Sequence, residues 1–370
     1  MRIGVPRETK DNEGRIGIVP DGVRQLAAAG HEVLVERGAG LGSGFADDRF
    51  AQAGARLVEV EEVWSSPQLI VKVKEPNAQE VKRLRPGVGL FCYLHLAPNR
   101  ALTEALLAAE VVAIAYETIQ QPDGAFPVLA PMSEVAGRLA IQVGVTLLQR
   151  DRGGKGVLVG GVPGVMRGRV AVIGAGTVGI NAVRVAHALG AEIDVLDVDL
   201  KRLTYVYDLF HGELNTLYSN RVNLERSVAH ADLLVGAVYL RGRRAPRIIT
   251  ERMVQSMEPG SVVADVAVDQ GGCIETIRPT TLSDPTYVRH GVIHYGVANM
   301  PAAVPRTSTF ALTNTTLPYV ERIAERGLAA AVLEEPALAL GANVWRGALV
   351  CEGVAEAHEL PLRALSDVVR

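Results

Sequence analysis

At 370 residues and 39.4 kDa the chain is too long for one ordinary hydrophobic core, so two domains are expected. Apolar residues make up 48% and the formal net charge is only -3, which argues against disorder and against the basic stripe a nucleic acid requires. The early charges of MRIGVPRETKDNEGR speak against a signal peptide, no apolar run has membrane length, and the scattered Cys92, Cys273 and Cys351 suit a reducing compartment better than a disulfide framework or a metal site. The expectation is a cytoplasmic protein with neither nucleic acid nor membrane as partner and with no metal.

From the N-terminus, RIGV, HEVLVE, LIVKVK, GLFCYLHL and VVAIAYE read as strands, alternating with helical DGVRQLAAAG, FADDRFAQAG and NRALTEALLAA. Such alternation predicts parallel strands with crossover helices. From Ser133 to about Gln149 the pattern becomes one long helix, with Ser133 as N-cap and Val135, Leu139, Val143 and Leu147 at helical spacing. It reads as a connector between domains. The Gly-rich DRGGKGVLVGGVPGVMRG follows, and near Val170 a second alternating series begins: VAVIG, EIDVLD, LNTLY, ADLLVGA, SVVADVA and VIHYGVA. After Pro305 the chain turns helical again, and TLPYVERIAERGLAAAVL has the pattern of a helix able to return to the first domain.

The second series opens on a dinucleotide fingerprint. Gly174-Ala-Gly-Thr-Val-Gly179 follows the strand VAVI, starts a helix, and is followed by a second strand ending in Asp197. Gly174 permits the tight turn, Gly176 lets the backbone approach a pyrophosphate, and Gly179 lets the helix lie close to the sheet. Asp197 stands where a carboxylate accepts the ribose hydroxyls, which favours NAD over NADP. Arg202 is the one feature suggesting a 2′-phosphate, and its plainer reading is a solvated helix residue. The plainer reading of the glycines is a packing turn.

The first domain lacks such glycines, so its sheet is assigned to the substrate. LIVKVKEP ends at Lys74 and GLFCYLHLA at His95, two chemistry-bearing residues at the carboxyl ends of successive strands, the edge where open parallel sheets bind ligands. Lys72 shares a face with Lys74 by the strand period of two. The alternatives are solvated edge lysines and a core histidine bonded to a carbonyl. Arg15, in DNEGRIGIVP, is a cation able to take a carboxylate bidentately, or simply a solvated loop residue. In the second domain VVADVAVDQGG is read as ending at Asp269 and VIHYGVANMP at Asn299, again at the carboxyl edge. There a carboxylate and an amide would orient an amine or carbonyl, or serve only as an Asx turn and a cap. A histidine suits proton transfer because its pKa lies near working pH.

IGVPRETKDNEGR, VKVKEP, YLHLA, LAPMSEVAGRLA, GGVPGV, DVAVDQGGCIET and VANMPAAVPRTST together resemble the alanine dehydrogenase family, which includes the transhydrogenase alpha subunits, to about residue 320. The resemblance implies an α/β protein of two Rossmann-like doubly wound domains: residues 1–130 with 306–370 for the substrate, and 131–305 for NAD. It implies NAD-dependent oxidative deamination of L-alanine to pyruvate and ammonium, with reductive amination as the reverse. His95 and Asp269 would be catalytic, and Arg15, Lys74 and Asn299 would bind substrate. The NAD site would comprise Ser133, Gly174, Gly176, Thr177, Val178, Gly179, Asp197, Arg202, Ser219, Val238, Tyr239, Val266, Ala267, Val268, Asp269, Arg278, Val297, Ala298, Asn299 and Met300. The usual assembly is a homohexamer. Ala302 stands where the family commonly has Gly, Cys92 where Thr is usual, and the tail beyond about residue 340 departs from the pattern.

The nearest rival is a transhydrogenase-like NAD(H)-binding module without a carbonyl substrate, against which the paired Lys74 and His95 argue. Saccharopine dehydrogenase relatives would need a larger pocket. A silent NAD-binding regulator would keep the glycines and have no use for Lys74 and His95.

Overall fold

The structure, a computed structural model, describes residues 1–238 and 245–369, and it divides into two compact units: Met1–Met132 with Ala302–Arg370, and Ser133–Pro301. Tyr239, expected in the cofactor site, lies outside the described residues.

The first unit begins with six strands: β1 (Arg2–Val5), β2 (Glu32–Glu36), β3 (Arg56–Val58), β4 (Leu69–Val71), β5 (Gly89–Cys92) and β6 (Val112–Ala115). In the second unit follow β7 (Arg169–Ile173), β8 (Glu192–Asp197), β9 (Asn215–Tyr218), β10 (Leu233–Gly236), β11 (Val262–Asp265), β12 (Thr286–Arg289) and β13 (Val292–Tyr295). The chain then returns to the first unit with the helix Pro305–Arg326 and a terminal hairpin, β14 (Ala342–Trp345) and β15 (Ala348–Leu349).

The first sheet has the order β15-β14-β6-β5-β4-β1-β2-β3, and the second β12-β13-β11-β10-β7-β8-β9. Each doubly wound core is parallel. The edge additions are antiparallel: β14 on β6, and β12 on β13. Neither β12 nor the terminal hairpin is foreseen by the sequence reading, because each is short and borders a sheet whose other strands already account for the pattern. In both sheets the strand order reverses beside the first strand, β1 or β7, so a crevice opens at its carboxyl end.

Burial explains why the central strands are almost wholly apolar. In the second unit Val170, Val172, Val195, Leu233, Val235 and Val262 pack on one side of the sheet, while Ala171, Ile173, Leu196, Leu234 and Val263 pack on the other. Alternate residues thus enter two cores, the pattern of a parallel sheet covered on both faces. In the first unit Ile70, Leu90, Cys92, Ala113 and Val344 share one core, which places the terminal hairpin inside that unit's packing.

Several boundaries differ from expectation. The long helix runs Ala130–Leu147, so Ser133 lies in its first turn and is not the N-cap. Pro131 suits such an early helical position, where its missing N–H costs nothing. β4 stops at Val71 and β5 at Cys92, leaving Lys74 and His95 in the loops just beyond. β11 stops at Asp265 and β13 at Tyr295; Asp269 lies in a 3₁₀ turn, Val266–Gln270, and Asn299 in a turn with φ of 92°.

Candidate active site

At the carboxyl edge of the first sheet lies a buried, paired charge network. Lys72 is 1% exposed, its Nζ 3.2 Å from Glu8 Oε2 and 3.1 Å from Glu80 Oε1, and it lies over the Trp64 ring. Burial by itself would push the ammonium down; the two carboxylates outweigh it and hold its pKa above the ordinary lysine range. The solvated reading of Lys72 is therefore corrected. Glu8 does a second job: its Oε1 accepts the Val73 amide at 2.6 Å and the Lys74 amide at 3.4 Å. Removing one partner of such a buried group leaves an uncompensated charge, at a cost of about 3–5 kcal/mol. This network fixes the backbone from which Lys74 projects.

Lys74 is itself only 7% exposed, and its Nζ makes no hydrogen bond or ion pair among the described residues. Its neighbour Glu75 is bonded to the Lys10 ammonium. Burial would raise the Glu75 carboxyl, but Lys74, His95 and Lys10 together hold it below the ordinary range. A buried ammonium flanked by a histidine and without a bonded carboxylate is suited to receive an anionic group from a ligand.

His95 adopts a left-handed backbone, φ 47°, which is uncommon outside glycine. Glu117 holds it there, accepting the Leu94 amide at 3.2 Å and the His95 amide at 2.6 Å. The ring stacks on Tyr93, centroids 5.7 Å apart and planes within 7°, and the Tyr93 hydroxyl donates to the Val128 carbonyl at 2.8 Å. The imidazole is half-buried and held in one orientation, as proton transfer requires.

Arg15 is 2% exposed, so it is no solvated loop residue. Its Nε and an Nη donate to the two Glu13 oxygens at 2.8 and 2.5 Å, and another Nη donates to Met132 Sδ at 3.2 Å. The bidentate carboxylate expected of a ligand is here supplied by Glu13. Arg15 is thus a fixed positive charge at the edge that carries Lys74.

The second unit builds its edge from backbone. Gly174 has φ 107°, and a Cβ on it would lie 2.6 Å from the Ala237 carbonyl oxygen. A Cβ on Gly179 would lie 1.8 Å from the Gly174 carbonyl oxygen. At Gly176, by contrast, the nearest atom is an Arg202 Nη at 3.8 Å, so the backbone there is open to a ligand. The helix Thr177–Ala188 starts immediately after, presenting its N-terminal amides. Asp197 is 8% exposed; its oxygens accept the Ala175 amide at 2.6 Å and the Asp199 amide at 2.8 Å, and each keeps a further lone pair. The residues present therefore fit a dinucleotide: an open glycine face, a helix start and a fixed acid.

The other expected residues of the second unit differ in exposure and partners. Ser219 donates its amide to the Asp197 carbonyl at 2.9 Å, and Val238 is half-buried just past β10. Thr177, Asp269 and Arg278 are exposed; Val178, Val266, Ala267, Ala298 and Asn299 are half-buried; Val268, Val297 and Met300 are buried. Arg278 lies over the Tyr287 ring, its guanidinium carbon 4.3 Å from the centroid. Ala302 and Cys92, the departures from the family pattern, are both buried, at 2% and 0%.

Asp265 is the site residue that sequence reasoning missed. It is fully buried, and it pins the turn bearing Asp269: Oδ1 accepts the Ala267 amide at 2.9 Å, and Oδ2 the amides of Cys273 and Ile274 at 2.8 and 3.1 Å. Burial pushes its carboxyl up to about 6, against the pull of those amides. The spacing Asp265-x-x-x-Asp269 before two glycines is the signal available in the sequence. Glu8, Glu13 and Glu117 were missed as well; only Glu13, two residues from Arg15, has a local cue.

Comparison with known proteins extends over the whole chain. Residues 4–136 match the family described as Alanine dehydrogenase/PNT, N-terminal domain, and residues 140–352 match Alanine dehydrogenase/PNT, C-terminal domain. An alanine dehydrogenase of Methanococcus maripaludis is 52% identical over 363 residues, 98% of this chain and 97% of that protein. A solved L-alanine dehydrogenase superposes with a TM-score of 0.92 at 49% identity, over 97% of this chain and 99% of that one. A transhydrogenase from Sinorhizobium meliloti superposes with a TM-score of 0.81 at 25% identity, over 95% and 99%.

Proposed function

We propose the following division of chemistry for this chain, which belongs to the alanine dehydrogenase/PNT family. It interconverts L-alanine with pyruvate and ammonium, as a nicotinamide-dinucleotide-dependent oxidoreductase acting on a CH–NH₂ group. No helix among the described residues is long and apolar enough to cross a membrane.

The finer assignment is of residues and cofactor. Lys74 and Arg15 hold the substrate carboxylate, and His95 moves the proton. In deamination the α-hydrogen of alanine leaves as hydride and its amine becomes an imine. Water adds to the imine carbon as His95 takes its proton, and the same histidine returns a proton to the departing amine. Pyruvate and ammonium are left. When bound, the dinucleotide supplies the hydride acceptor. Asp269 is assigned as the second catalytic residue and Asn299 as a substrate-orienting amide. NAD is the proposed cofactor, with Asp197 on the ribose hydroxyls and the Gly174–Gly179 turn against the pyrophosphate. Residues 1–130 with 306–370 form the substrate domain and 131–305 the NAD domain, in a cytoplasmic homohexamer.

The observation carrying the substrate assignment is the buried Lys74 ammonium, without a bonded carboxylate and one strand from a restrained His95. A transhydrogenase-like module, the second reading, has no use for either group. The test is NADH oxidation with pyruvate, with and without ammonium, beside glyoxylate and 2-oxoglutarate. Oxidation requiring both pyruvate and ammonium is expected; NADH binding with no oxo acid reduced would move the assignment to the transhydrogenase-like reading.

A further inference from the structure

Asp197 is not alone at the ribose corner. Asp199 caps the helix Leu200–Leu209, accepting the Lys201 amide at 2.9 Å, and the same helix carries Arg202. The Arg202 guanidinium stands 3.6 Å from Asp199 (Nε to Oδ2) and 4.0 Å from Asp197 Oδ2. It is also the group nearest to the open face of Gly176. An arginine in this position ordinarily accommodates a 2′-phosphate, by charge and by paired N–H donors. Here its charge is already shared between two carboxylates.

We propose that Asp199 is a cofactor-specificity residue: it holds the Arg202 guanidinium within the Asp197–Asp199 pair and so withholds it from a 2′-phosphate. The proposal rests on the reading of Asp197 as the ribose acceptor. With Asp199 in place, the corner offers a 2′-phosphate one cation and two anions. With Asp199 neutralised, the balance becomes one to one, and the cation loses the carboxylate nearer to it. Arg202 is 57% exposed and Asp199 45%, so the pair is screened and the effect is modest. Asp197 excludes NADPH in both cases; Asp199 sets how completely.

Asp199→Asn is the informative change, because asparagine preserves the helix cap while removing the charge. Dissociation constants for NADH and NADPH, from nicotinamide fluorescence, are to be compared across the wild type, Asp199→Asn, Arg202→Gln, their double variant and Asp197→Ala. In Asp199→Asn, NADPH binding should tighten about fivefold, the upper scale for one exposed pair, while NADH changes less than about twofold. Adding Arg202→Gln should abolish that gain. No gain in Asp199→Asn, or a gain that persists without Arg202, would overturn the proposal while a weakened NADH affinity in Asp197→Ala leaves the ribose reading standing. Unchanged NADH affinity in Asp197→Ala would remove the ribose reading, and this proposal with it.

Discussion

The two carboxyl edges, proposed above to hold a carboxylate and a pyrophosphate, are built by different means. The first unit uses buried side-chain charge: Lys72 between Glu8 and Glu80, Arg15 gripped by Glu13, and Lys74 set on a backbone that Glu8 pins. The second uses backbone and the absence of side chains, with Gly174 and Gly179 packed against main chain and Gly176 open beside a helix start. A charged edge attracts a small carboxylate strongly, at the cost of a network whose members depend on one another. A glycine edge takes a pyrophosphate through many weak amide contacts and fails by steric obstruction.

That contrast sets how each edge should break. Lys74→Met removes the unpaired buried cation, and kcat/KM for pyruvate should fall on the order of a thousandfold, the scale of losing a desolvated charge contact. Melting temperature should fall only modestly, because Lys74 Nζ makes no hydrogen bond or ion pair among the described residues and supports the partly buried Glu75 carboxylate only alongside His95 and Lys10; a collapse of stability instead would make Lys74 structural. His95→Ala should cost roughly a hundredfold in turnover, as for other general acid–bases, in stopped assays with alanine or pyruvate. An active variant would take His95 out of the mechanism. On the glycine side, Gly179→Ala drives a Cβ into the Gly174 carbonyl oxygen at 1.8 Å, and the turn must shift. NADH affinity should drop about tenfold, with stability lower by about 1–3 kcal/mol, read by titration and by melting. Tight NADH binding in that variant would mean the turn does not grip the dinucleotide.

The smallest effect sharpens the comparison at Asp265, a buried carboxylate on the backbone-built side. Its folded carboxyl is raised to about 6 from the ordinary 3.8. A group raised on folding adds stability that is fully present below the unfolded value and is lost as pH rises through the folded one. The melting temperature of the wild type relative to Asp265→Asn should therefore fall by a few degrees between pH 4.5 and 7.5, on the order expected for this chain length. A relative rise over that window would mean that the amides of Ala267, Cys273 and Ile274 outweigh burial.

The same contrast explains what the sequence made legible. The glycine turn, its flanking strand and helix, and Asp197 all lie within one short stretch, so spacing alone places them together. The charged edge depends on contacts far apart in the chain: Glu8 with Lys72, and Glu117 with His95. No local period encodes these pairings, and so a solvated alternative for Arg15 and Lys72 stays open in the sequence and is closed only by their burial beside Glu13, Glu8 and Glu80. Strand ends were overrun for a related reason. Apolar residues continue past each strand end toward Lys74, His95, Asp269 and Asn299, yet the backbone leaves the ladder earlier, into left-handed geometry at His95 and Asn299.

The most direct test of the division between a charged substrate edge and a backbone-built dinucleotide edge is NADH titration of the Lys74→Met, His95→Ala double variant. Wild-type NADH affinity with no measurable reduction of pyruvate in the presence of ammonium is the predicted result. NADH affinity that falls in step with activity would contradict the account, because the two edges would then not be separable in function.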